Sequence, residues 1–297
     1  MTHCELCPRR CGVNRLAGAL GFCQAGAQPE VFRYGAHPGE EPPLSGDRGS
    51  GAVFFSRCTL HCLYCQNFPW SQEGQGTHTD SAALAEIFRS LARRRCHNWN
   101  LVSPTPWWPL VMPVLDQLAG EGVHLPVALN TSGFERVEIL QELEGRIQVY
   151  LTDLRYASPA SAGEGSGRPD YVAQARSAFR EMWRQVGALK TDPDGVAVSG
   201  VICRLLILPG LAQEAVENLR WLADTVGVSV PVSVMAQYTP THQALDTTPW
   251  NRPITREEYD LVVAAVESLG FTEGWIQEFG ESTPHSLVGF QMTPGEF

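Results

Sequence analysis

The chain of 297 residues contains no apolar run approaching the ~18 residues needed to cross a bilayer. Its opening stretch, MTHCELCPRR, lacks the apolar segment of a signal peptide. Both absences lead to the expectation of a cytoplasmic protein without membrane contact. Positive charge is also short: 22 Lys and Arg stand against 32 Asp and Glu, for a net charge of −10. Tight binding along a phosphate backbone needs clustered cations that release counterions, so this balance argues against a nucleic-acid partner. The one basic run, at 93–95, falls at the end of a predicted helix, where it complements the helix dipole. No internal repeat is visible beyond an alternation of short and long elements. With 43% hydrophobic and 18% charged residues, the chain can bury a substantial core as one large α/β domain or as two small ones.

From residue 51 onward, β-rich apolar runs alternate with stretches of helical period. Strands are expected at GAVFFS (51–56), WNLVSP (99–104), LPVALN (125–130), IQVYLTDL (147–154), GVICRLLIL (200–208) and PVSVMAQY (231–238). Several are apolar throughout, as strands covered on both faces are. Between them, Leu84, Ile87, Phe88 and Leu91 recur at i, i+3, i+4 and i+7, as do Ala175, Ala178, Phe179 and Met182, and again Tyr259, Val262, Val263 and Val266. Six strand–helix units imply a parallel sheet with right-handed crossovers, and six are too few to close an eight-stranded barrel. The expected fold is therefore α/β, an open partial (βα)6 barrel over 51–297. Residues 1–50, rich in Cys, Gly and Pro, read as a separate N-terminal metal-binding subdomain. The small-residue segment SPASAGEGSGRPD (158–170) reads as a mobile surface loop, either slack or a lid.

Nine cysteines divide unevenly. Cys96 and Cys203 stand alone and read as buried thiols. Cys58, Cys62 and Cys65 form a C-x3-C-x2-C array after the first strand, on the face where parallel α/β barrels carry their active sites. In a reducing compartment such short spacings read as metal or cluster ligands rather than disulfides. Three thiolates can hold three irons of a [4Fe-4S] cube and leave the fourth with an open position. The competing reading is a zinc loop that recruits His61, against which stands the closed tetrahedral set that structural zinc prefers. Cys4, Cys7, Cys11 and Cys23, spaced C-x2-C-x3-C-x11-C, make a complete set either for zinc or for a second iron–sulfur cluster.

The stretch FFSRCTLHCLYCQN (54–67) resembles the signature of the radical S-adenosylmethionine superfamily, with Tyr64 at the aromatic position before the last cysteine. CELCPRRCGVNRLAGALGFCQAG, PPLSGDRGSG, YCQN, AFREMWRQVG and ILPG extend the likeness over residues 4–278. Together they resemble a branch similar to the pyruvate formate-lyase activating enzyme, defined by sequence and fold rather than by an agreed reaction. The resemblance implies a partial barrel of the radical SAM type. It also implies a [4Fe-4S] cluster on Cys58, Cys62 and Cys65 whose open iron is chelated by S-adenosylmethionine. The implied chemistry is one-electron reduction by a donor such as flavodoxin or ferredoxin, carbon–sulfur homolysis, and hydrogen abstraction by a 5'-deoxyadenosyl radical. The substrate would be a glycine of a partner protein or, alternatively, a small molecule or peptide. A non-catalytic iron–sulfur or zinc scaffold is the remaining reading.

Position by position, the resemblance places further cofactor contacts at the strand ends. Ser103 and Thr105 in SPTP stand where relatives carry a Gly-Gly-Glu segment, and Asn130 and Ser132 lie in NTSG. Asp153 and Arg155 lie in LTDLRY, with Arg in place of a lysine whose point charge it does not reproduce. Arg204 and Gln237 complete the ring, with Tyr238 beside it. Trp107 and Trp108 stand where relatives have a histidine and another aromatic. They would pack under the mouth or stack on cofactor or substrate, and with the 158–170 segment they are candidate covers for it.

Overall fold

The structure, a computed structural model, describes residues 1–280 and 292–296. Its strands are β1 (Glu30–His37), β2 (Ser50–Phe55), β3 (Thr77–His78), β4 (Trp99–Val102), β5 (Val127–Thr131), β6 (Val149–Asp153), β7 (Lys190–Thr191), β8 (Ala197–Leu206), β9 (Val232–Met235), β10 (Gly274–Ile276) and β11 (Gly295–Glu296). The helices are α1 (Pro42–Ser45), α2 (Phe68–Ser71), α3 (Ser81–Arg93), α4 (Trp108–Gly120), α5 (Val137–Glu142), α6 (Pro159–Ser166), α7 (Tyr171–Val186), α8 (Ala212–Val226) and α9 (Arg256–Leu269).

The result is a mixed α/β fold around a central sheet of mostly parallel strands. The six expected strands are β2, β4, β5, β6, β8 and β9, each pairing in parallel with the next, and β10 adds a further parallel strand beyond β9. The path runs β10-β9-β8-β6-β5-β4-β2-β1-β11 and does not return on itself among the described residues. The apolar helical stripes become buried faces: Leu84, Phe88 and Leu91 of α3 and Ala178, Phe179 and Met182 of α7 are fully enclosed. Each large side chain so buried contributes about 1.5–3 kcal/mol. Local signals set the helix ends. Asp80 caps α3 through the Ala83 amide, and Thr255 and Glu258 close a capping box on α9.

Residues 1–50 contribute β1 to the main sheet, where it pairs antiparallel with β2 from Val31 opposite Phe55 to His37 opposite Ser50. Two expectations change. The 158–170 segment is not a mobile loop, because most of it is α6. Ser158 caps that helix on the Ser161 amide, Pro159 sits at its first turn, and Ala162, Gly165 and Ser166 are buried. Trp107 and Trp108 do not cover a mouth. Both are buried, and the Trp107 indole Nε1 donates to the Ser56 carbonyl at 2.9 Å, pinning the chain where it leaves β2.

Candidate active site

Strand β2 is buried at all six positions, and beyond it the chain turns through a loop shaped by two left-handed residues, Arg57 (φ +74°) and His61 (φ +59°). Arg57 is held by an ion pair to Glu30 at 2.8 Å, and its guanidinium fills the space beside Gly74, where a Cβ would lie 2.2 Å from the guanidinium carbon. The loop presents Cys58, Cys62 and Cys65 to one end of a cavity of about 590 Å³. Each sulfur faces a polar group: Cys58 accepts from the Leu60 amide at 3.4 Å, Cys62 from the Ser166 hydroxyl at 3.0 Å, and Cys65 lies 3.3 Å from the Ser71 hydroxyl. Burial pushes the Cys58 thiol upward and the Cys65 thiol up to about 12, so ligation of either requires its proton to leave.

The strand ends line the rest of the cavity. Ser103 follows β4 in a left-handed conformation (φ +55°), Asn130 ends β5 with Ser132 just beyond, and Asp153 ends β6 with Arg155 two residues on. Arg204 of β8 and Gln237 after β9 complete the wall. Asp153 and Arg155 form an ion pair at 2.6 Å, and the same guanidinium donates to Cys62 Sγ at 3.2 Å.

Two expected contacts lie elsewhere. Tyr64 does not line the cavity. It is buried in the layer behind the loop, stacked on Trp250 with ring centroids 5.1 Å apart. Thr105 is also outside the lining, since the short 3-10 turn after β4 points its hydroxyl inward to Glu135 Oε1 at 2.6 Å. Arg204 reaches the cavity, but two of its nitrogens donate to Glu41, at 2.7 Å each, and it is paired with Glu40 as well. Asn100 also donates to Glu40, at 2.9 Å.

Glu40, Glu41 and Glu135 were not legible. The two acids stand side by side just before Pro42 with both side chains almost wholly enclosed, and Glu41 lies below the ordinary carboxylate range. Burial alone would raise it, and the Arg204 guanidinium more than offsets that effect. Glu135 has no such cation. Burial lifts it to about 7 against the downward pull of the Thr105 and Thr131 hydroxyls. The unfolded chain releases this proton near pH ~4.3. The folded chain holds it until about 7, so stability falls as pH rises through that window. Glu135→Gln is accordingly expected to exceed the wild type by on the order of 2 kcal/mol at about pH 8 and to show no gain at about pH 4. Urea midpoints at the two pH values measure this, and an equal shift at both would contradict it.

A second cavity of about 20 Å³ is lined by Cys4, Cys7, Cys11 and Cys23. Burial pushes Cys7 up to about 12 and raises Cys23 as well. Arg9, between two of these cysteines, joins the two cysteine sets: its guanidinium donates to the carbonyls of Thr59 at 2.5 Å and Leu60 at 3.1 Å, inside the C-x3-C loop, and lies over the Phe22 ring. Among the described residues, no group of three or more His, Cys, Asp or Glu side chains is gathered tightly enough for a single metal ion. A cube carries each thiolate on a different iron, so its ligands stand further apart than those of one ion. Among the described residues no helix is long and apolar enough to cross a membrane.

No family model matches the chain. Uncharacterized protein MJ0674 of Methanocaldococcus jannaschii is 26% identical to it over 271 residues, covering 89% of this chain and 74% of the relative. Among solved structures, Streptococcus suis SuiB bound to S-adenosylmethionine aligns with a TM-score of 0.49 at 14% identity, over 74% of this chain and 48% of SuiB. A second SuiB structure aligns with a TM-score of 0.49 at 13% identity, over 83% of this chain and 49% of SuiB. The chain thus spans about half the length of SuiB.

Proposed function

We propose that the protein is a radical S-adenosylmethionine enzyme whose [4Fe-4S] cluster is held by Cys58, Cys62 and Cys65. The observation that carries the proposal is the arrangement of these three thiols at one end of a cavity that polar side chains at successive strand ends also line. Three ligands and not four suit a cube with one position left for a cofactor. The open run of parallel strands supports the partial barrel of the radical SAM type, with 1–50 as its Cys-rich N-terminal subdomain. When bound, the cluster supplies the electron that splits S-adenosylmethionine and yields a hydrogen-abstracting 5'-deoxyadenosyl radical.

The chain's own residues then have separable roles. Asp153 and Arg155 offer one carboxylate and one guanidinium to the amino and carboxylate ends of the cofactor. Ser103, Asn130, Ser132 and Gln237 offer neutral donors and acceptors along the same wall. Phe54, Leu60 and Val102 line the cavity beside the thiols and exclude water from the reacting end. The test is anaerobic reconstitution followed by dithionite and S-adenosylmethionine. Formation of 5'-deoxyadenosine supports the proposal, and a fully iron-loaded protein that forms none refutes it.

Within this reading, the resemblance to the pyruvate formate-lyase activating enzyme favours a glycine of a partner polypeptide as the hydrogen donor, and the alternative is a small molecule or peptide. A persistent radical on a partner polypeptide, seen by electron paramagnetic resonance, separates the first from the second.

The front cysteines are read as the ligands of one closed metal centre, zinc or a second cluster, because all four line one small cavity. Iron analysis decides between them: about eight irons per chain assign a second cluster, and about four irons with one zinc assign a knuckle. Replacing Cys7 and Cys11 together by Ala should remove the second complement and lower the melting temperature while S-adenosylmethionine binding at the Cys58 loop persists. Unchanged metal content and melting would remove the front site.

A further inference from the structure

The sulfurs of the C-x3-C-x2-C loop are not equivalent. Cys58 receives backbone donors only, from Leu60 and His61, and Cys65 lies beside one hydroxyl, whereas Cys62 receives two side-chain donors, Arg155 Nη1 at 3.2 Å and Ser166 Oγ at 3.0 Å. Arg155 lines the cavity and is paired with Asp153. Ser166 is different: it is buried, does not line the cavity, and reaches Cys62 from behind, at the C-terminal end of α6.

Its direction is fixed by proton counting. A thiolate ligand can only accept, so the single hydroxyl proton of Ser166 goes to the sulfur. The Tyr156 hydroxyl lies 2.7 Å from the Ser166 oxygen, and with the serine proton committed, the tyrosine must donate. The order is therefore Tyr156 O–H to Ser166 Oγ, and Ser166 O–H to Cys62 Sγ. Two further features hold α6 in this place. The Leu63 amide, next to Cys62, donates to the Gly165 carbonyl at 2.9 Å, and a Cβ on Gly165 would stand 2.4 Å from the Tyr156 oxygen, so only glycine lets the helix end approach the ring.

We infer that Ser166 and Tyr156 are positioning residues that set the reduction potential of the catalytic cluster through the sulfur of Cys62. The inference rests on the cluster assignment proposed above. Reduction adds one electron and thus negative charge to the cluster and its sulfurs, and a donor aimed at a ligand sulfur stabilises the reduced form more than the oxidised one. Removing that donor makes reduction harder. The serine acts directly, and the tyrosine acts by holding the serine proton on the sulfur. The surrounding packing, with Tyr64 edge-on to Tyr156, keeps water from substituting for either hydroxyl.

The test is a dithionite titration of the anaerobically reconstituted full chain, followed by electron paramagnetic resonance, with iron content measured on each sample. Ser166→Ala is expected to raise the oxidised-to-reduced ratio at a fixed potential about tenfold, which for one electron is a midpoint about 59 mV more negative. Tyr156→Phe keeps the ring and should shift the midpoint in the same direction by less. Ser166→Thr keeps the hydroxyl and should stay at the wild-type value. Should Ser166→Ala lose iron, Tyr156→Phe decides, since it leaves Ser166 in place and removes only the hydroxyl that holds the serine proton on the sulfur. Iron-loaded Ser166→Ala and Tyr156→Phe with wild-type midpoints overturn this inference alone. A wild type that assembles no cluster overturns the cluster assignment and this inference with it.

Discussion

Alanine at any one of Cys58, Cys62 or Cys65 is expected to reduce 5'-deoxyadenosine formation to background and to remove about four irons per chain. The three thiols share one end of the cavity, and no fourth cysteine lines it among the described residues, so a lost ligand has no replacement. The comparison that gives the result its meaning is Cys203→Ala. Cys203 is fully buried in β8 and lines neither cavity, so its removal leaves a small void worth about 1 kcal/mol without touching the reaction. Iron assay and chromatographic product analysis on the same preparations separate the two behaviours. Full turnover in any one of the three loop variants would end the radical enzyme assignment.

Arg204→Met is expected to cost about 3–5 kcal/mol of stability, because it strands two carboxylates that the fold has taken out of water. Glu40 and Glu41 expose only 6% of their side chains each, and Arg204 exposes 15%. The sign with pH follows. In the wild type, the depressed Glu41 contributes stability that is present above its unfolded value near ~4.3 and fades as pH falls. In the variant, the same burial without its cation raises the Glu41 carboxyl, so the deficit is full at neutral pH and shrinks under acid. A melting temperature lower by on the order of 10 °C at neutral pH is the expected reading. Adding Glu40→Gln and Glu41→Gln to Arg204→Met should recover most of the loss. An Arg204→Met protein as stable as wild type would mean that the two acids are hydrated despite their enclosure.

How much of this was legible in the sequence depended on whether a residue's role followed from local pattern or from distant packing. The six parallel strands were readable because each is an apolar run stopped by a polar residue. The stopping residues Ser103, Asn130 and Asp153 line the cavity for the same reason: in a parallel sheet, successive strands end on one side. Thr105 failed by a single short turn, which reversed its side chain from the cavity to Glu135. Helix α6 was hidden because Gly, Ser and Ala score poorly as helix formers or read as linker. Its stability comes from a cap, a first-turn proline and close packing behind Cys62, none of which composition reports. Glu40 and Glu41 gave no signal at all, since their partner Arg204 lies more than one hundred and sixty residues away.

The left-handed residues beside the cysteines govern how far this chain can drift over evolutionary time. Arg57 precedes Cys58, His61 precedes Cys62, Arg10 precedes Cys11 and Gln24 follows Cys23, and all four have positive φ. Exchange to glycine or asparagine at such a position relieves the backbone and forfeits only the side chain, so lineages can cross it freely where the side chain has no partner. Exchange to valine or isoleucine meets a steric cost of about 1–2 kcal/mol and swings the neighbouring thiol off its direction. Variation at these four sites is therefore closed toward branched residues and, at Arg57, whose guanidinium pairs with the buried Glu30, toward small ones as well, a bias that deep mutational scanning would display without any knowledge of the substrate.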